Sequence, residues 1–101
     1  MNELIDKIRQ WHHDRNLING STDKAQFMKL HEEVGELAES IHNNTDIRDD
    51  VGDIMVVLVN MVTRNGLTIE DCLEYAYNDI KDRTGKMVDG VFVKDDTNGN
   101  K

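Results

Sequence analysis

Two short segments share one order of residue types: Glu33-Val34-Gly35-Glu36-Leu37 and Asp50-Val51-Gly52-Asp53-Ile54. Each runs carboxylate, Val, Gly, carboxylate, aliphatic, with the acids three apart. On a helix, residues three apart project from neighbouring positions, so each segment offers a pair of carboxylates. Four carboxylates brought together would repel one another and hold their protons more tightly. An all-oxygen site of such charge is what Mg²⁺ or Mn²⁺ prefers. Mg²⁺ keeps positions open for water and phosphate oxygens, so the implied ligand is a phosphorylated small molecule. The alternative is a solvated acidic face, and geometry must choose between them.

The elements that carry these acids can be read from apolar spacing. Phe27, Leu30, Val34, Leu37 and Ile41 form the stripe of an amphipathic helix over 26–41. Asn43-Asn44 supplies a turn, and Thr45 is expected to cap the next helix. Segment 46–64 is apolar on nearly every side from Ile54 to Val62, with Asn60 the only interruption. Its valines would also suit a buried strand, but Ile47, Val51, Ile54, Leu58 and Met61 keep helical spacing over a length beyond a typical strand. At about 100° per residue, Glu33 and Glu36 lie roughly 70° and roughly 130° to one side of the first stripe. Asp50 and Asp53 show about the same offsets, in the same sense, from the second. In an antiparallel pair packed stripe to stripe, equal offsets place all four acids along one groove. That favours the metal reading.

The rest of the chain reads as support. Leu4, Ile5, Ile8 and Trp11 predict a first helix over 2–15, broken by Asn19-Gly20, with Ser21, Thr22 or Asp23 as the next cap. Thr68 opens a fourth helix with Leu73, Ala76, Tyr77 and Ile80 on its inner face, and Gly85 ends it. Val88-Asp89-Gly90-Val91 reads as a short turn or hairpin. The expected fold is all-α: an antiparallel bundle of about four helices forming one domain over 1–94, followed by a disordered tail over 95–101. Because helix 46–64 is apolar around much of its circumference, a dimer or higher oligomer is expected to cover it.

Composition narrows the function further. The 101 residues carry 12 Lys+Arg against 20 Asp+Glu, a formal net charge of -8. This balance argues against a nucleic-acid backbone or an anionic membrane surface as partner. No apolar run approaches a membrane span. Cys72 stands alone, without an intrachain disulfide or thiolate zinc site, which fits a cytoplasmic setting.

At the acids the chain resembles a family, the MazG-like members of the all-α nucleoside triphosphate pyrophosphohydrolases, and among them the short phage-type proteins. The family motif E-x-x-E, spacer, E-x-x-D reads here as Glu33-x-x-Glu36 and Asp50-x-x-Asp53, with Asp50 where the family usually has Glu. The flank Lys29-Leu30-x-Glu32-Glu33 agrees, as do Asn78-x-x-Lys81-x-Arg83 and Gly85-Lys86-Met87-Val88-Asp89-Gly90. The resemblance implies hydrolysis of a (d)NTP to monophosphate and pyrophosphate, with Glu33, Glu36, Asp50 and Asp53 holding Mg²⁺ or Mn²⁺. The active form is expected to be a homodimer or homotetramer, as the apolar helix 46–64 requires. Glu36, with Glu33 beside it, would orient or deprotonate the attacking water. Lys29, Asn78, Lys81 and Arg83 are candidate phosphate contacts, although Lys81 and Arg83 also suit the dipole at a helix C-terminus. The rival readings are a non-enzymatic helical protein binding a metal or partner in the acidic groove, and a phosphohydrolase releasing orthophosphate.

Several further residues invite function. Trp11 could stack on a nucleobase, but an apolar helix face makes core packing the expected role. His12, His13, His31 and His42 are expected at the surface or in local hydrogen bonds, since His31-Glu32-Glu33-Val34-Gly35 lacks a second histidine. Asp46 to Asp53 fails as an EF-hand, with Arg48 third and Val51 where Gly is required. Gly35 and Gly52 fall on the flank away from the acids and are expected to allow close helix packing. Cys72 is expected to be an ordinary small, partly buried residue.

Overall fold

The structure is a computed structural model, and it describes residues 2–95. They form α1 (Glu3–Asp14), α2 (Asp23–Asn43), α3 (Arg48–Arg64), α4 (Ile69–Ile80), β1 (Gly85–Val88) and β2 (Val91–Lys94). The chain divides into two compact units between Glu70 and Asp71. The first holds α1–α3 with the opening of α4, and the second holds the rest of α4 with the hairpin. No helix among the described residues is long and apolar enough to cross a membrane. Of the expected disordered tail, all but Asp95 lies outside the described residues.

Helix ends follow local chemistry, with one reassignment. Asn2 caps α1, its side chain accepting from the amides of Leu4 and Ile5, and Thr22 caps α2 by accepting from Ala25. Asn44 takes the left-handed conformation (φ 57°) that ends α2, its amide bonding to Ile41 O while that of Thr45 bonds to Ser40 O. Thr45 therefore serves the end of α2 and not the start of α3, because its hydroxyl also donates to Ser40 O. Ile47 stands at the N-cap of α3 without a side-chain bond, and Asp46 before it accepts from the amide of Arg48 at 2.9 Å.

Within the first unit, α3 is the central helix, packing α2 on one side and α1 on another. Val57, Val59 and Ile69 are its buried apolar residues. Glu33, His12 and Asn60 are polar residues buried with them. The His12 ring reaches Val56 O through Nε2 at 2.9 Å, and Asn60 Nδ2 lies 3.3 Å from His12 Nδ1 and 2.9 Å from Leu17 O. A carbonyl only accepts, so the proton sits on Nε2 and Nδ1 accepts from Asn60. His12 is thus neither a surface group nor a local hydrogen bonder: it joins α1 to α3. Arg64 extends this latch, donating to Ile18 O (2.9 Å) and Ser21 O (2.8 Å) and pairing with Asp23.

Three other expectations are corrected. Leu30 and Leu37 turn toward α3 together with Glu33, while Phe27 (57 % exposed), Val34 and Ile41 (60 % exposed) stay open. The α2 stripe is therefore wider than one neighbour can cover. A Cβ placed on Gly35 or Gly52 would meet nothing within 4 Å, so neither glycine marks a close helix contact within the chain. Trp11 is 43 % exposed and belongs to a cavity wall, not the core.

The second unit buries none of its large apolar side chains. Leu73, Tyr77 and Ile80, the expected inner face of α4, are exposed, as are the strand residues. The strands pair antiparallel from Gly85↔Lys94 to Val88↔Val91. Asp89 (φ 51°) and Gly90 (φ 82°) supply the two positive φ angles of a type I′ turn. The bundle thus carries a true two-stranded hairpin.

Replacing Asn60 with Ala should destabilise the fold by about 2–4 kcal/mol, since Leu17 O and His12 Nδ1 lose their donor and a void opens. Chemical denaturation tests this: the midpoint should fall with the slope unchanged.

Candidate active site

The α2–α3 turn brings acids from both helices to one side of the first unit. Glu33 is only 6 % exposed, with Asp50 and Asp53 half-buried on α3 and Glu36 open to solvent. Burial pushes the Glu33 carboxyl above its ordinary value of 4.5, and hydrogen bonding to Glu36 adds to the effect. The charges of Glu36 and Asp53 raise it further, while Lys29, one turn earlier on α2, opposes them. When protonated, Glu33 donates to Glu36. Glu36, Asp53 and Lys29 are therefore all within electrostatic reach of Glu33. Asp50, one turn before Asp53 on α3, is not among the groups that act on Glu33.

The donor set suits a hard divalent cation: carboxylate oxygens alone, with a buried member whose charge its neighbours resist. Among the described residues, no three His, Cys, Asp or Glu side chains close on a single point. Glu33 and Glu36 are hydrogen-bonded neighbours, and the charge of Asp53 on α3 reaches Glu33.

Asp53 also borders a cavity of about 440 Å³ between α1 and α3, lined with Lys7, Ile8, Trp11 and Val56. Its volume is in the range of small-molecule sites. The Arg15 guanidinium lies 4.4 Å from the Trp11 ring centroid, and His12 meets the same ring edge-on. Sequence reasoning found Trp11 and Asp53 but missed Lys7, Ile8 and Val56. The signal available was Lys7 four residues before Trp11, on the same side of α1. Asn78, Lys81 and Arg83 lie in the second unit, where Arg83 pairs with Asp79 at 3.2 Å.

The MazG nucleotide pyrophosphohydrolase domain matches residues 21–88, a span that contains all four acids and both helices that carry them. The chain belongs to that family. Among known proteins, this MazG domain is 43 % identical over 67 residues to an uncharacterised 18.2 kDa protein of the rep-hol intergenic region of Haemophilus phage HP1 (strain HP1c1). The match covers 64 % of the chain but 41 % of the phage protein, so the MazG chain spans about two fifths of that relative. No solved structure matches it. Nucleotide pyrophosphohydrolysis is the chemistry for which that family is named.

The raised Glu33 carboxyl makes a pH prediction for the metal-free protein. A folded-state value above the unfolded one means that stability is lost as pH rises from about 4.5 through the raised value. Glu33→Gln removes that loss. Its stability relative to the wild type should therefore climb across this window, as read by thermal melts at stepped pH without divalent ions.

Proposed function

We propose that this MazG domain, over residues 1–94, cleaves the α–β phosphoanhydride of a (d)NTP, giving the monophosphate and pyrophosphate. The observation that carries this reading is buried Glu33 set against Glu36 and Asp53, beside an aromatic-walled cavity that Asp53 also borders. Such a carboxylate is held at a cost unless a cation meets it. Glu33, Glu36, Asp50 and Asp53 would hold Mg²⁺, or Mn²⁺. A bound divalent ion supplies Lewis acidity toward the phosphoryl oxygens and strengthens water as a nucleophile.

The chain's own residues do the rest. Glu36, exposed and linked to Glu33, orients the attacking water and receives its proton as pyrophosphate departs. Lys29 offsets part of the acidic charge and contacts phosphate. Asn78, Lys81 and Arg83 are proposed as further phosphate contacts, and Trp11 as the surface on which the base stacks. The setting is proposed to be cytoplasmic, in line with the lone Cys72.

The active form is proposed as a homodimer, or a dimer of dimers. Its support is the open Phe27, Val34 and Ile41 seam, seven residues apart along α2, with open Gly35 beside it and half-exposed Val51 on α3. Burying such side chains stabilises association by about 1.5–3 kcal/mol each. A second copy presents the same seam and is the occupant proposed. Val34→Lys should shift the protein to monomer in sedimentation, with helicity kept.

Activity is tested by incubating the protein with each (d)NTP and Mg²⁺ and separating the products. Monophosphate with pyrophosphate is expected, whereas orthophosphate would reassign the cleaved bond. Glu36→Gln and Asp53→Asn should each lower the rate by at least about a hundredfold, beyond the loss typical of a residue outside the metal's contacts. Full activity in either variant would reject this groove.

A further inference from the structure

We propose that Lys7 selects the base, and that the α1–α3 cavity takes nucleotides whose base presents a carbonyl oxygen where adenine and cytosine carry an amine. The proposal rests on the pyrophosphohydrolase reading above and concerns which substrates that site accepts.

The polar groups of the cavity wall are unbalanced. Among the described residues, its lining is Lys7, Ile8, Trp11, Asp53 and Val56. Lysine ammonium and indole N–H groups only donate hydrogen bonds. Asp53 is the one side-chain acceptor, and the proposed reaction commits its oxygens to the cation. The backbone carbonyl of Val56 is committed as well, to His12 Nε2 at 2.9 Å and to the ladder of α3. His12 thus removes the acceptor that a base amine would need. Among the described lining residues, what remains is an aromatic wall, two aliphatic side chains and the donors of Lys7 and Trp11.

Such a wall distinguishes bases by one atom. Guanine O6 and uracil O4 accept from Lys7, whereas adenine N6 and cytosine N4 would meet it donor to donor. A neighbouring cavity of about 450 Å³ also borders Asp53, but its described wall holds Asn2, Arg48 and Asp49 and, among the described residues, no aromatic side chain. Trp11 therefore assigns the base to the first cavity. Arg15 fixes the ring there, stacked over it and donating to Trp11 O at 3.3 Å. Lys7 is exposed and makes no hydrogen bond or ion pair to another described residue. Its ammonium is free to reach a base.

The test is calorimetric binding of the α,β-methylene analogues of GTP, UTP, ATP and CTP to the full chain with Mg²⁺. The guanosine and uridine analogues should bind roughly tenfold or more tightly than the adenosine and cytidine analogues, the worth of one hydrogen bond to a charged donor. Lys7→Met should bring the four toward one affinity, and Lys7→Arg, which still only donates, should keep the preference. Equal affinities in the wild type, a preference for the amino bases, or a preference that survives in Lys7→Met would each overturn the assignment. Inorganic tripolyphosphate separates the two readings. If it binds with Mg²⁺ while the wild type ignores the base, Lys7 loses its role and the phosphate site stands. If neither it nor any analogue binds, both readings fall.

Discussion

Three backbone carbonyls, those of Leu17, Ile18 and Ser21, are held by two side chains of α3, Asn60 and Arg64. The connector between α1 and α2 has no regular structure to satisfy those groups, and a carbonyl left without a donor near the core would cost about as much as a lost buried hydrogen bond. Everything in the first unit follows from this arrangement. Asn60 also fixes the His12 ring, which seats α1 on α3. Arg64 also pairs with Asp23 in the first turn of α2. One helix thereby sets the place of both others, and with them the separation between the acids and the Trp11 wall.

Gly20 shows how closely that connector is drawn. A Cβ there would lie 2.4 Å from Asn16 O, so no larger residue fits without moving the chain. Asn16 itself is left-handed (φ 59°), ending α1 earlier than the Asn19-Gly20 pair suggests from sequence.

Legibility in the sequence tracks the range of the interaction responsible. The α2–α3 hairpin was readable because spacing, turn residues and acid offsets all act within a few residues. The I′ turn was readable from Asp89-Gly90 for the same reason. The His12–Asn60 contact spans 48 positions, and apolar periodicity has no means of marking a polar pair in the core. Its traces were present: His12 four residues after Ile8, and Asn60 as the lone interruption of an apolar run. The expected packing of Gly35, Val34 and the inner face of α4 failed for another reason. Periodicity reports which faces are apolar, not whether the same chain covers them. For the acids, equal offsets placed Glu33, Glu36 and Asp53 on one side, but their depths were invisible. Burial singles out Glu33, because Leu30 and Leu37 on either side of it turn inward.

The hairpin has a consequence of a different kind. Among the described residues the sheet has two strands, so β1 and β2 each leave one row of backbone amides and carbonyls without a neighbouring strand there, and their apolar side chains are open on both faces. An edge of this kind is a template for pairing with another chain. Lys86 and Lys94 stand near its open end and Asp89 at its tip, on a ribbon only four residues long on each side. Short strands and fixed charge are how edges are kept from adding strands without end. The short strands and fixed charges of this element thus limit strand-by-strand association between copies of the chain.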